Sequence, residues 1–219
     1  MRLIYLVCLS FQLSAQPVLK AGYPDRFSDE LPGSAGKSLR SQLLYCIEQH
    51  SRLHWSWQSY PTTRLFHSLE SGDLDLVYPA IFSPEREQYA IASDVLFYVR
   101  NLWLSTAKAP SPLAEHSIVV KRGALQVEQL KAKGFDQLVL VEDFRTQLDM
   151  LDAGRVDFAL MPQETFLILQ SQRKQQYFSS EFNKVPGGFY LGKQANPTFL
   201  PALNQALQLC LAQFNPGEL

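Results

Sequence analysis

Three features of the sequence predict an α/β fold made of two similar lobes. Short apolar runs of strand character alternate with stretches of helical periodicity along most of the chain. A helix–Gly–turn–Asp–strand pattern occurs once in each half. Two extended runs, 95–105 and 184–193, lie between the halves and read as crossing segments of a hinge. Strands that alternate with helices build mainly parallel sheets with helices on their faces, because a parallel connection needs a long crossover. The chain has 219 residues, 46% of them hydrophobic and 19% charged. That length suits one large domain or two small ones, with enough apolar material for a core.

In chain order, residues 2–16 come first: one Arg, an apolar stretch and then Ser14-Ala15-Gln16. This is the pattern of a secretory signal segment over 1–16, too short to span a bilayer, which takes about 20 residues. A buried first strand is the alternative reading. Cys8 lies inside the apolar stretch, where it does not suit a lipid anchor. Residues 18–22 read as a strand and 23–36, rich in Pro, Gly, Asp and Ser, as a loop. Leu39, Leu43, Leu44 and Ile47 have helical spacing within 37–50. Leu53, Trp55 and Trp57 alternate with polar residues, which predicts a strand over 53–58 with both tryptophans in the core. Thr62 and Thr63 offer an N-cap for a helix through Leu65, Phe66 and Leu69, and Gly72 ends it. Residues 74–77 form the next expected strand.

The second half repeats this grammar. A strand at 117–120 is followed by a Gly123 turn and a helix to about Lys133, stopped by Gly134. A strand is expected at 138–141. Asp143 then caps a helix carrying Phe144, Leu148 and Leu151, which ends at Gly154. A strand at 156–160 follows, Pro162 opens the next helix, and the last helix runs over 200–214.

The run Gly72-Asp73-Leu74-Asp75, then Pro79-Ala80-Ile81-Phe82-Ser83-Pro84-Glu85-Arg86, then Ala92-Ser93-Asp94, resembles the bacterial extracellular solute-binding proteins of family 3. These are the type II periplasmic binding proteins of polar amino-acid uptake. Gly154-Arg155-Val156-Asp157 resembles the second-lobe signature, and Gly188-Phe189-Tyr190-Leu191-Gly192-Lys193 the return to the first lobe. The resemblance implies the two-lobed type II fold, each lobe a mixed, mainly parallel sheet flanked by helices. It places lobe 1 at 17–98 and 188–219, lobe 2 at 105–182 and the hinge at 99–104 and 183–187. It also implies lobe closure on a small, carboxylate-bearing molecule, periplasmic location, delivery to an inner-membrane ABC permease, a monomer, no cofactor and no catalysis.

The resemblance carries ligand-binding roles onto particular residues. Arg86 occupies the position that grips the ligand carboxylate with two parallel hydrogen bonds. The alternative is an Arg86 salt bridge to Glu85 or Asp94. Tyr23 follows the first strand and is expected to face the ligand. Pro79 and Ile81 stand where the family offers a Gly backbone and a Thr hydroxyl. Lys121, beside Arg122 and Gly123, matches the second-lobe loop that meets the ligand, or is an ordinary exposed Lys. The family's Asp after the strand at 156–160, which takes a ligand ammonium, is missing. The sequence there is Met161-Pro162-Gln163-Glu164, so Gln163 or Glu164 is left to fill that role. An ammonium buried without an anion is costly, so an ordinary α-amino acid is in doubt. Tyr23, Tyr60 and Phe82, on loops, are expected to pack on the ligand body.

Other function classes find little support. A net charge of −1 with no basic run argues against nucleic acid. The four His, at 50, 54, 67 and 116, are scattered, and no phosphate-cradling glycine motif is present. A dehydratase-like enzyme using Glu164 is the catalytic alternative, and a ligand sensor for a separate signalling partner the non-catalytic one. Loss of ligand binding is a third reading. Cys46 and Cys210, both in helical patterns, are either buried thiols or, in an oxidising compartment, a disulfide. With no His paired to them by spacing, no metal site is expected.

Overall fold

The structure is a computed structural model that describes residues 18–24, 27, 38–108 and 111–214. The expected signal segment at 1–16 lies outside the described residues. The chain divides into two compact units. Unit 1 is Met1–Asp94 with Phe189–Leu219, and unit 2 is Val95–Gly188.

Unit 1 holds β1 (Val18–Pro24), α1 (Leu39–Ser51), β2 (His54–Tyr60), α2 (Thr62–Ser71), β3 (Leu76–Ile81), β4 (Ala90–Ala92), the end of β9 (Phe178–Gly192) and α6 (Phe199–Leu211). Strand order is β2-β1-β3-β9, with β4 antiparallel to β9. β1 is parallel to both neighbours, with Gly22 opposite Gln58 on one side and Val77 on the other. Leu43, Leu44 and Ile47 of α1 and Leu203, Ala206, Leu207 and Cys210 of α6 are all buried. Their spacing of three and four residues keeps each set on one helix face. A second cluster gathers Leu65, Leu69, Leu74, Val77 and Tyr190.

Unit 2 holds β5 (Phe97–Ser105), β6 (Ile118–Lys121), α3 (Leu125–Ala132), β7 (Leu138–Val141), α4 (Phe144–Asp152), β8 (Phe158–Pro162), α5 (Gln163–Gln170) and most of β9. The order is β9-β5-β8-β6-β7. β6 is parallel to β7 and β8, and β5 antiparallel to β8 and β9. Successive residues serve opposite faces of this sheet. Leu102, Leu104, Val119, Ala159 and Met161 pack with α4 and α5. Trp103, Ile118, Val120, Phe158 and Leu160 pack with Val127 and Leu130 of α3. Strands buried on both faces have to be apolar, as β6 and β8 are over nearly their whole length.

Helix ends are explained by local chemistry. Ser38 caps α1 by accepting from Ser41 N at 3.1 Å, and Asp143 caps α4 by accepting from Thr146 N at 2.8 Å. Gly72 takes φ 83°, the left-handed conformation that favours glycine, and returns its N–H to Leu69 O. The threonine cap expected for α2 is absent. Pro61 holds the N-cap position in an extended conformation and Thr62 is already helical. β3 and β8 each start two residues later than expected, because Asp75 and Asp157 are engaged in side-chain bonds before their strands begin. Pro162, expected to open α5, is the last residue of β8 and the N-cap of α5. β4 was not foreseen, since three residues carry no readable period.

Cys46 and Cys210 are joined by a disulfide across α1 and α6, with Cα atoms 5.9 Å apart. The sequence had left free thiols and a disulfide open.

Candidate functional site

Ligands of open α/β sheets bind at the carboxyl ends of the strands, where helix N-termini and loops converge. In unit 1 those ends are Pro24 of β1, Tyr60 of β2 and Ile81 of β3. Pro24 is paired with Tyr60 and Tyr23 with Ser59. Tyr23 packs edge-on against Trp57, centroids 6.2 Å apart. The Tyr60 hydroxyl donates to Gln58 Oε1 at 2.7 Å, and the Arg64 guanidinium lies 5.8 Å from the Tyr60 ring centroid. Pro79 is half-buried within β3 and follows a cis peptide bond. Phe82 packs at a tilt against Tyr190, with centroids 5.3 Å apart, and the Tyr190 hydroxyl accepts from Ser83 N at 2.8 Å.

Arg86 begins a short 3-10 turn, Arg86–Gln88, just beyond β3. Its Nη1 donates to Ile81 O at 2.7 Å, and its guanidinium carbon lies 3.6 Å from the Phe66 ring centroid. Neither Glu85 nor Asp94 forms an ion pair with it among the described residues. Asp94 instead accepts from Gln208 of α6. Burial holds the Arg86 guanidinium below its usual pKa, partly offset by Tyr89, Tyr190 and Glu85. The half-buried guanidinium is thus fixed by a carbonyl and a ring face, with no carboxylate paired to it among the described residues. The structure brings Arg86 and Ile81 into direct contact. The sequence did not reveal that Phe66 and the Ile81 carbonyl hold the guanidinium. Phe66 reads as one more core residue of an amphipathic helix.

In unit 2 the carboxyl ends are Lys121 of β6, Val141 of β7 and Pro162 of β8. Lys121 Nζ lies 5.2 Å from the Phe144 ring centroid. Gln147, fully buried on α4, links two of these strands. Its amide nitrogen donates to Leu160 O at 3.1 Å and its oxygen accepts from Lys121 N at 2.6 Å. Gln163, the first residue of α5, lines an open depression of about 260 Å³ with Tyr98, Arg100, Pro162, Glu164 and Lys184. Lys184 Nζ sits 4.3 Å from the Tyr98 centroid, and Arg100 Nε pairs with Glu181 at 3.0 Å. The depression therefore offers both signs of charge. Lys121 is not among its lining residues. Tyr98, Arg100 and Lys184 were missed because β5 and β9 read only as hinge. The available signal was period two: Tyr98 and Arg100 share one strand face, and Lys184 is directly opposite Arg100.

Comparison with known proteins places the fold. No protein-family model and no curated protein matches the chain. Solved structures do match. A histidine kinase sensor domain with similarity to periplasmic binding proteins superposes with a TM-score of 0.69 at 15% identity, over 90% of this chain and 92% of that one. The GluR0 ligand-binding core from Nostoc punctiforme, in complex with L-glutamate, gives 0.68 at 17% identity, over 90% and 94%. The arginine-, lysine-, histidine-binding protein ArtJ from Geobacillus stearothermophilus gives 0.68 at 16% identity, over 90% of each chain. The chain thus has the fold of the type II periplasmic binding proteins, as the sequence motifs implied. These neighbours are binding proteins and a sensor domain rather than enzymes. No helix among the described residues is long and apolar enough to cross a membrane.

Proposed function

We propose that this chain is a periplasmic solute-binding protein that captures a small, carboxylate-bearing molecule and delivers it to an ABC permease. The observation that carries this reading is Arg86, a half-buried guanidinium at the carboxyl edge of β3, held by Ile81 O and Phe66 and lacking an ion-pair carboxylate among the described residues. A ligand carboxylate completes that arrangement with two charge-assisted hydrogen bonds, each contributing about 1.5–3 kcal/mol. Tyr23, Tyr60 and Phe82 supply apolar surface at the same edge, and Pro79 and Ile81 backbone contacts. In unit 2, Gln163 and Glu164 line a depression with Lys184 and are the candidates for a ligand ammonium, and Lys121 at the end of β6 is a further candidate for an anionic group.

Thermal-shift screening against amino acids, organic acids and short peptides tests this. A ligand at 100 times its dissociation constant adds about 2.7 kcal/mol of stability. Arg86→Ala is expected to weaken the best ligand at least about 100-fold, as two such bonds require. Unchanged affinity in that folded variant overturns the carboxylate assignment.

A second reading, a sensing module for a separate signalling partner, is favoured by the similarity to a kinase sensor domain. Deleting the gene separates the two. Lost accumulation of radiolabelled ligand supports delivery, whereas intact uptake with lost ligand-dependent gene expression supports sensing.

A further inference from the structure

The Cys46–Cys210 disulfide has a third reactive group against it. His50, one turn beyond Cys46 on α1, places Nδ1 3.6 Å from Cys46 Sγ and 3.7 Å from Cys210 Sγ. The same nitrogen is 2.9 Å from Cys46 O. A carbonyl only accepts, so Nδ1 carries a hydrogen and Nε2 is left to take the second proton. The two cysteines differ in exposure. Cys210 is fully buried, Cys46 is half-buried and His50 is exposed.

Disulfides open by attack of a thiolate on one sulfur, at a rate set by access and by the stability of the departing sulfur. Here Cys46 is the more exposed of the two residues, which makes its sulfur the expected point of attack. Attack there expels Cys210 as a thiolate among the apolar residues of α6, where an isolated anion is costly. α6 carries no charged side chain, and Cys210 is its only titratable group. On α1 the neighbouring carboxylate, Glu48, accepts from Trp55 N, and Arg52 lies in the C-cap. His50 is the group placed to give the departing sulfur a proton.

We propose that Cys46, Cys210 and His50 form a thiol-exchange site that is opened from the Cys46 side by an external dithiol. The first thiolate bonds to Cys46 Sγ, the bond between Cys46 and Cys210 breaks, and its electron pair goes to Cys210 Sγ. Cys210 takes a proton from the His50 imidazolium, which regains one from water. The second thiolate of the dithiol then displaces Cys46, leaving the reagent as its disulfide and the protein reduced by two electrons. This site is independent of the ligand-binding reading.

The test uses the full oxidised chain. After brief exposure to glutathione and acid quenching, peptide mass mapping should find the mixed disulfide on Cys46. An adduct mainly on Cys210 overturns the proposal. His50→Gln keeps a donor for Cys46 O but loses the transferable proton. Its reduction by dithiothreitol, expressed per thiolate, should slow at least about tenfold and lose the acceleration toward acid pH expected of the natural chain. Equal rates in the two proteins overturn the role of His50. Should the variant fail to fold, the natural chain decides: a rate per thiolate that is flat with pH sinks the proton transfer.

Discussion

Two aspartates show how single residues set this fold. Asp75 and Asp157 each stand three positions after a left-handed glycine, Gly72 and Gly154. Asp75 Oδ2 accepts from Lys20 N, the third residue of β1, at 2.9 Å. Asp157 Oδ2 accepts from Ser117 N at 2.8 Å and from its hydroxyl at 2.7 Å, just before β6. Each carboxylate therefore fixes the register of a parallel strand pair where no hairpin can do so. The Ser117 hydroxyl, then its backbone N–H, hold the Asp157 carboxyl below its usual value. A depressed folded value means a contribution to stability that is present above the unfolded pKa, about 3.9, and is lost as pH falls through the folded one. Asp157→Asn should therefore lower stability at neutral pH and reduce its decline below about pH 4. Urea titrations of both proteins across that range check this. The Gly–x–x–Asp spacing was readable in the sequence because it is local. The hold on Arg86 was not, because Phe66 and Ile81 reach it only after α2 and β3 have packed.

Elements pack closely enough for one methyl group to matter. A Cβ added to Gly22 in β1 would stand 2.5 Å from both Leu65 Cδ1 and Leu74 Cδ1. Both leucines are buried, so neither side chain has room to yield. Gly22→Ala is expected to destabilise by about 1–3 kcal/mol, the usual effect of overpacking, measurable by denaturant unfolding. The α1–α6 disulfide works in the opposite direction. It closes a loop with a sequence separation of 164 residues, for which chain entropy gives up to about 5 kcal/mol. Cys46→Ser with Cys210→Ser should lose much of that, whereas the single-unit contacts of α3 with β6 should be unaffected. Helix and strand order was legible here because the apolar spacing switches cleanly between three or four and two, as in Leu43, Leu44 and Ile47 against Ile118 and Val120. Partners distant in sequence were not legible. Arg100 opposite Lys184 and Cys46 beside Cys210 are both products of tertiary pairing.

At the scale of the whole molecule, the chain runs out of unit 1 and back into it once. Both passages are tied by short bonds. Leu96 N donates to Gly187 O at 2.9 Å inside unit 2, and Ser93 N to Phe189 O at 3.0 Å inside unit 1. Adjacent ends are what an inserted domain requires. Residues 95–188 expressed alone should fold with a cooperative urea transition, and unit 1 should fold when Asp94 is joined to Phe189 through a short glycine linker. Circular dichroism with denaturant checks both, and a fragment without a transition removes that unit's claim to independence. This layout also orders events during synthesis. Once residue 188 has emerged, every strand and helix of unit 2 is available, while unit 1 still lacks α6 and the end of β9. The inner unit can therefore finish folding while the outer one waits. The bond between Cys46 and Cys210 cannot close before α6 has emerged, a covalent mark that the outer unit has received that helix.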